Sequence, residues 1–107
     1  MRIVVPDDNP PALAGTPAVD RMRRIGEVRI HDTDATDPSV LAERLKDADV
    51  AVNIRGRTRF TAEVLQACPR LRLISIWGTG TDNVDLQAAA ARGITVTNTP
   101  GANAIAV

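Results

Sequence analysis

Val50-Ala51-Val52-Asn53-Ile54, then Arg55-Gly56-Arg57, then a Thr61-led segment carrying Val64, Leu65 and Cys68, then Leu73-Ile74-Ser75-Ile76: this stretch decides the fold. It reads as a β-branched run, a loop, an amphipathic helix with a threonine N-cap, and a second apolar run, which together make a strand-helix-strand unit. Two strands joined through a helix run parallel, because the crossover takes about a dozen residues or more. Parallel strands carry their crossover helices on the sheet faces, so the stretch predicts an α/β architecture.

The same alternation continues in both directions. Toward the N-terminus, Ile3-Val4-Val5 is a strand that breaks in a loop rich in Asp, Asn and Pro. Thr16-Pro17 then signals a helix start, with Val19, Met22 and Ile25 at helical spacing and Gly26 ending the run. Val28-Arg29-Ile30 is a second strand, and Asp37-Pro38 opens a helix with a stripe of Val40, Leu41, Leu45 and Ala48. Toward the C-terminus, a loop with Gly78 and Gly80 leads to Asp85, which caps an alanine-rich helix that Gly93 terminates before Ile94-Thr95-Val96. Five strands and four helices in strict alternation predict a doubly wound, flavodoxin-like sheet of order 2-1-3-4-5, with helices on both faces.

A chain of 107 residues has room for one core, and 44% hydrophobic with 24% charged residues is ordinary for a globular protein. Thirteen basic and 13 acidic residues balance, without the positive excess that a phosphate backbone demands, so no nucleic-acid partner is expected. No apolar run approaches the roughly 20 residues of a membrane span, and Met1 to Pro6 lacks the pattern of a secretory signal, so no membrane partner and a cytoplasmic location are expected. Cys68, the one cysteine, can form no internal disulfide and reads as a small core residue rather than a nucleophile.

In open parallel sheets ligands bind beyond the carboxyl ends of the strands. Four loops meet there: residues 6–11, 55–59, 77–82 and 98–103. Arg55 and Arg57 offer charge-assisted bonds to an anion, and the glycines of Gly78-Thr79-Gly80 let backbone N–H groups approach a carboxylate closely. As an isolated string Gly78-Thr79-Gly80 is not a dinucleotide fingerprint, since Asn83 stands where the third glycine would be. Asp82 and Asp85 read as turn and N-cap residues, and His31, the one histidine, as a surface residue. No catalytic residue and no metal site is expected in this chain.

The longer string is more specific. Gly78-Thr79-Gly80-Thr81-Asp82-Asn83-Val84-Asp85, followed by an alanine-rich helix, Arg92-Gly93-Ile94, a strand and Asn98-Thr99-Pro100, resembles D-isomer-specific 2-hydroxyacid dehydrogenases, particularly the phosphoglycerate dehydrogenase branch. The resemblance covers approximately residues 50–107, and more loosely the whole chain. It implies a substrate-binding domain over residues 1–98, and over 99–107 a hinge with the interrupted start of a crossover helix into a missing domain that binds NAD or NADP. It further implies that Arg55 and Gly56 contact the acid or phosphate end of a small 2-hydroxy or 2-oxo acid. Backbone amides of Gly78, Thr79 and Gly80 would hold its carboxylate, Thr79 would lie near the nicotinamide, and Asn98, Pro100 and Asn103 would form the hinge. The family's acid/base His, its Glu and its Arg lie beyond this stretch. Two positions depart from the family pattern: Gly56 replaces a small hydroxylated residue, and Trp77 a smaller one.

Two other readings compete. Asp7 and Asp8 after the first strand look like the acidic pair of a response-regulator receiver, but the third strand ends in Asn53-Ile54-Arg55 without a phosphate-accepting Asp, and the single lysine, Lys46, lies in a helix. That leaves Asp7 and Asp8 as loop residues lining the cleft. Alternatively the chain is a stand-alone folding or self-associating module. The apolar run Ala102-Asn103-Ala104-Ile105-Ala106-Val107 is expected to leave Ile105 and Val107 as a self-association surface.

Overall fold

The computed structural model describes residues 1–78 and 80–98. Strands and helices alternate throughout: β1 (Arg2–Val5), α1 (Pro17–Arg23), β2 (Glu27–Ile30), α2 (Pro38–Leu45), β3 (Val50–Asn53), α3 (Ala62–Gln66), β4 (Leu73–Ile76), α4 (Leu86–Ala91) and β5 (Thr95–Thr97). The five strands form one parallel sheet in the order β2-β1-β3-β4-β5, as the alternation predicted. Because β1 lies between β2 and β3, the chain reverses its winding direction there, and the crossovers fall on both faces.

Alternating side chains divide the core in two. Val4, Ala51, Ile74 and Ile76 point to the face where α2, α3 and α4 contribute Leu41, Leu45, Val64, Leu65 and Ala89. Ile3, Val5 and Val52 point to the other face and pack on Val19 of α1 and on Leu13. On α1's side of β4 and β5, Leu73 and Ser75 are half-buried and Thr95 and Thr97 exposed. Truncating any of the fully buried leucines to alanine would cost about 2–5 kcal/mol.

The local signals mostly act as the sequence suggests. Asp37 accepts from Ser39 N, Thr61 from Val64 N and Asp85 from Ala88 N, each capping its helix. Gly93 takes the left-handed conformation, φ 72°, that ends α4. Thr16 differs: its hydroxyl donates to the Leu13 carbonyl at 2.7 Å and caps nothing. Gly26 has a reason other than a helix stop, because a Cβ there would sit 2.6 Å from the Met1 carbonyl oxygen, which accepts from Glu27 N. Helix α1 ends at Arg23, so Ile25 falls outside its apolar stripe and is 67% exposed.

Candidate functional site

β3 and β4 end side by side, with Trp77 N–H donating to the Asn53 carbonyl at 2.9 Å. Beyond that bond the two segments diverge and border a cavity of about 300 Å³. Asn53, Ile54 and Gly56 line it from the β3 side and Ile76, Trp77, Gly78 and Gly80 from the β4 side, together with Asp82 and Asn83. The structure thus brings Gly56, Gly78 and Gly80 together at the carboxyl ends of the strands. Adjacent to the cavity, Phe60 N–H donates to the Asn83 carbonyl at 2.7 Å and Asp85 N–H to the Phe60 carbonyl at 3.0 Å, which ties the two loops to each other.

A buried polar network holds the β3 wall. Asp7, 1% exposed, accepts from Asn53 Nδ2 at 2.8 Å, from Arg55 N at 3.1 Å and from Ile54 N at 3.2 Å. Asn53 Nδ2 also donates to the Arg55 carbonyl at 2.9 Å, and Asn53 Oδ1 accepts from Asn83 Nδ2 at 2.9 Å. Asn83 Nδ2 in turn reaches the Thr58 carbonyl at 2.9 Å. One chain of bonds therefore runs from the β1 loop through the end of β3 to the loop after β4, and it fixes the backbone of residues 53–58 against residue 83.

Asp8, fully buried, holds the β1 loop itself. Its carboxylate accepts from the amides of Ala12 at 2.7 Å, Leu13 at 3.1 Å and Ala14 at 3.0 Å. Burial pushes its pKa up, but the three amides and the nearby Arg55 outweigh that and hold it below the usual carboxylate value. Asp7 and Asp8 are therefore buried anchors of loop backbone, where the sequence suggested residues facing the cleft. Among the described residues no group of three His, Cys, Asp or Glu side chains is placed to share a metal ion.

Neither Arg55 nor Arg57 of the β3 loop lines the cavity. Arg55 is half-buried, its guanidinium donating to the Pro10 carbonyl while its Nε is buried without a partner. Arg57 donates to the Asn9 carbonyl and pairs with Asp34 at 2.5 Å, and the bond from Arg57, followed by one from Asn9, lowers the Asp34 pKa. Both side chains brace the β1 loop in this conformation. Asp82 is exposed in a turn and Asp85 caps α4, as read from sequence. Asn98 follows β5 and is exposed. Thr79, Pro100, Asn103, Ile105 and Val107 lie outside the described residues.

Elsewhere, a hollow of about 320 Å³ lies along β2 and α2, lined by Arg29, His31, Glu43 and Arg44 among others. His31 is half-buried there rather than a plain surface residue, and burial, then the charges of Arg44 and Arg29, lower its pKa. Arg44 donates to the carbonyls of Pro6 and Thr33, at 2.6 and 2.9 Å. This hollow sits on the sheet edge, away from the ends of β3 and β4. Cys68 is 1% exposed, donates to the Val64 carbonyl at 3.2 Å and has its pKa pushed up by burial to about 11, which suits a core residue and not a nucleophile. No described helix is long and apolar enough to cross a membrane.

Reasoning from sequence missed the Asp7, Asn53, Thr58 and Asn83 group. The available signal was Asn53, a polar residue ending an otherwise apolar central strand, where a buried amide needs partners.

Comparison with known proteins agrees with this fold. Residues 8–107 match the family model described as D-isomer specific 2-hydroxyacid dehydrogenase, catalytic domain. A D-3-phosphoglycerate dehydrogenase of Methanocaldococcus jannaschii is 39% identical over 90 residues, which are 84% of this chain and 17% of that protein. A glyoxylate reductase of Thermococcus gammatolerans is 39% identical over 83 residues, 77% of this chain and 25% of that one. Among solved structures, the cofactor(NAD+)-bound 3-phosphoglycerate dehydrogenase of Entamoeba histolytica superposes with a TM-score of 0.79 at 31% identity, over 96% of this chain and 34% of that chain. A phosphoglycerate oxidoreductase of Vibrio cholerae gives a TM-score of 0.80 at 32% identity, over 92% and 31%. The chain therefore spans a quarter or less of the length of these two curated relatives and about a third of the solved chains. With a sheet of the expected order, a cleft at the expected strand ends and a family match over nearly its whole length, this chain belongs to the D-isomer specific 2-hydroxyacid dehydrogenase family.

Proposed function

We propose that this chain is the substrate-binding part of an NAD-dependent oxidoreductase that interconverts a small D-2-hydroxy acid and its 2-oxo acid. The observation that carries the reading is the cavity between the ends of β3 and β4, where Gly56, Gly78 and Gly80 converge. A Cβ at any of the three would meet nothing within 4 Å, so the backbone is open to close approach by a ligand. In this reading the carboxylate sits against the backbone of residues 78–80, Thr79 included. The β3 loop, with Arg55 and Gly56, bounds the rest of the substrate, and orientation of the reacting carbon is what this half of the cleft contributes.

NAD, or NADP, supplies or accepts the hydride when bound. This chain has no dinucleotide fingerprint, since Asn83 stands at the third glycine position and its side chain is taken up by Asn53 and Thr58. The cofactor and the acid/base group belong to a further domain, for which Asn98, Pro100 and Asn103 form the hinge, and the isolated chain is inactive. Self-association of the isolated chain is part of the same proposal; light scattering that finds a monodisperse monomer at high concentration would remove it.

The test is a titration of the isotopically labelled chain with pyruvate and with D-lactate, followed by amide resonances. Saturable shifts at Gly56, Gly78 and Gly80 are expected, and shifts confined to the hollow along β2 and α2 would overturn the reading. A parallel assay with NADH and a 2-oxo acid, in a preparation free of host dehydrogenases, is expected to show no turnover. Turnover there would contradict the assignment of catalysis to a further domain.

A further inference from the structure

Resting on the substrate-site reading above, we infer that the cleft takes a 2-oxo or 2-hydroxy acid whose far end is apolar and uncharged, rather than one ending in a phosphate or second carboxylate. Four observations carry this. Three apolar residues, Ile54, Ile76 and Trp77, line the cavity, and Ile54 and Trp77 are not fully buried. Trp77 is 43% exposed, so a large aromatic surface stands in water at the cavity and would be covered by an apolar substituent. Gly56 adds no side chain and leaves open space on the β3 wall for that substituent to occupy.

The fourth observation is electrostatic. No lysine or arginine is among the described residues lining the cavity, whereas the acidic residue Asp82 is. The two arginines nearest in sequence are turned to the β1 loop: Arg55 is engaged by the Pro10 carbonyl, and Arg57 by the Asn9 carbonyl and the Asp34 carboxylate. Among the described residues, a terminal phosphate at this cavity would meet a like charge and no cation. Freeing Arg57 would leave Asp34 without its ion pair, and freeing Arg55 would strip the Pro10 carbonyl. An isobutyl or benzyl group meets none of these penalties and removes indole and isoleucine surface from water.

Trp77 is the single tryptophan of the chain, so its indole N–H gives one resonance that reports this site alone. The labelled 107-residue chain is titrated with pyruvate, 4-methyl-2-oxopentanoate and 3-phosphohydroxypyruvate, reading that resonance with the Gly56 and Gly80 amides. The branched apolar acid is expected to bind at least about tenfold more tightly than the phosphorylated one, with pyruvate between them. Trp77→Ala, at an exposed position the fold does not need, is expected to bring the apolar acid down to the affinity of pyruvate while leaving pyruvate nearly unchanged. Asp82→Asn is expected to improve the phosphorylated ligand a few-fold and leave the apolar one as it was. Equal or tighter binding of the phosphorylated acid, or an apolar preference that survives Trp77→Ala, overturns the inference but leaves the 2-oxo acid site standing. If none of the three ligands moves these resonances, the site reading falls and the inference with it.

Discussion

On the β3 side of the cavity a buried carboxylate, Asp7, accepts three N–H bonds and pins the backbone of residues 53–55, with Asn53 and Asn83 extending the network behind it. On the β4 side, Trp77 and Gly80 are exposed and the glycines present backbone without side chains. One wall is held from behind by a buried polar network; the other offers a ligand surface and holds little. The difference teaches how stability and binding are divided here. Changes to the first wall should be read in unfolding experiments, and changes to the second in titrations.

The largest expected effect is on the first wall. Asp7→Ala leaves three buried or half-buried donors, Asn53 Nδ2, Ile54 N and Arg55 N, without their acceptor, at roughly 1–3 kcal/mol for each group left unsatisfied. A loss of about 3–5 kcal/mol in urea unfolding is expected, a large share of the 5–15 kcal/mol available to a typical domain. A loss below about 1 kcal/mol would break the comparison, since the wall would then be held by something else.

Asp8 should come next, because its acceptors serve a loop rather than the sheet end. Asp8→Asn keeps the shape but removes the charge, and about 2 kcal/mol is expected. The sign with pH follows from its lowered pKa. On acidification the unfolded chain takes up the proton first, so this stabilisation is fully present above the unfolded value near 3.8 and is lost as the pH falls toward the folded one. In Asp8→Asn the acid limb of the stability profile should be shallower in that window. An unchanged acid limb would mean that Asp8 carries no such linkage.

The same division explains what could be read from the sequence. Strand order, three of the four helix caps and the place of the cleft were legible because period, capping and crossover rules are local, and the fold obeys them at Asp37, Thr61 and Asp85. The second wall was legible too, since glycines mark where backbone is exposed. The first wall was not. Asp7 lies 46 residues from the Asn53 side chain it accepts from, and Asn83 a further 30 beyond, separations that no local pattern reports. Arg55 shows a further tertiary choice: its residue type suggested an anion ligand, and in this conformation its guanidinium donates to the Pro10 carbonyl of the neighbouring loop. Thr16 likewise follows a tertiary choice, taking the Leu13 carbonyl in place of a helix amide.

The smallest expected effect on stability lies on the second wall, and it is the sharpest test of the division. Gly80 is exposed, its φ is not in the left-handed region, and an added Cβ would meet nothing within 4 Å. Gly80→Ala should therefore leave unfolding unchanged or raise stability by about 0.4–1 kcal/mol, through the reduced freedom of the unfolded chain. The same methyl would stand where the backbone lines the cavity, so the affinity for a 2-oxo acid should fall even as stability holds. The pairing of the two measurements matters more than either. If Gly80→Ala weakened folding and binding together, the β4 wall would be structural like its partner, and a cleft with one fixed and one presenting side would have to be given up.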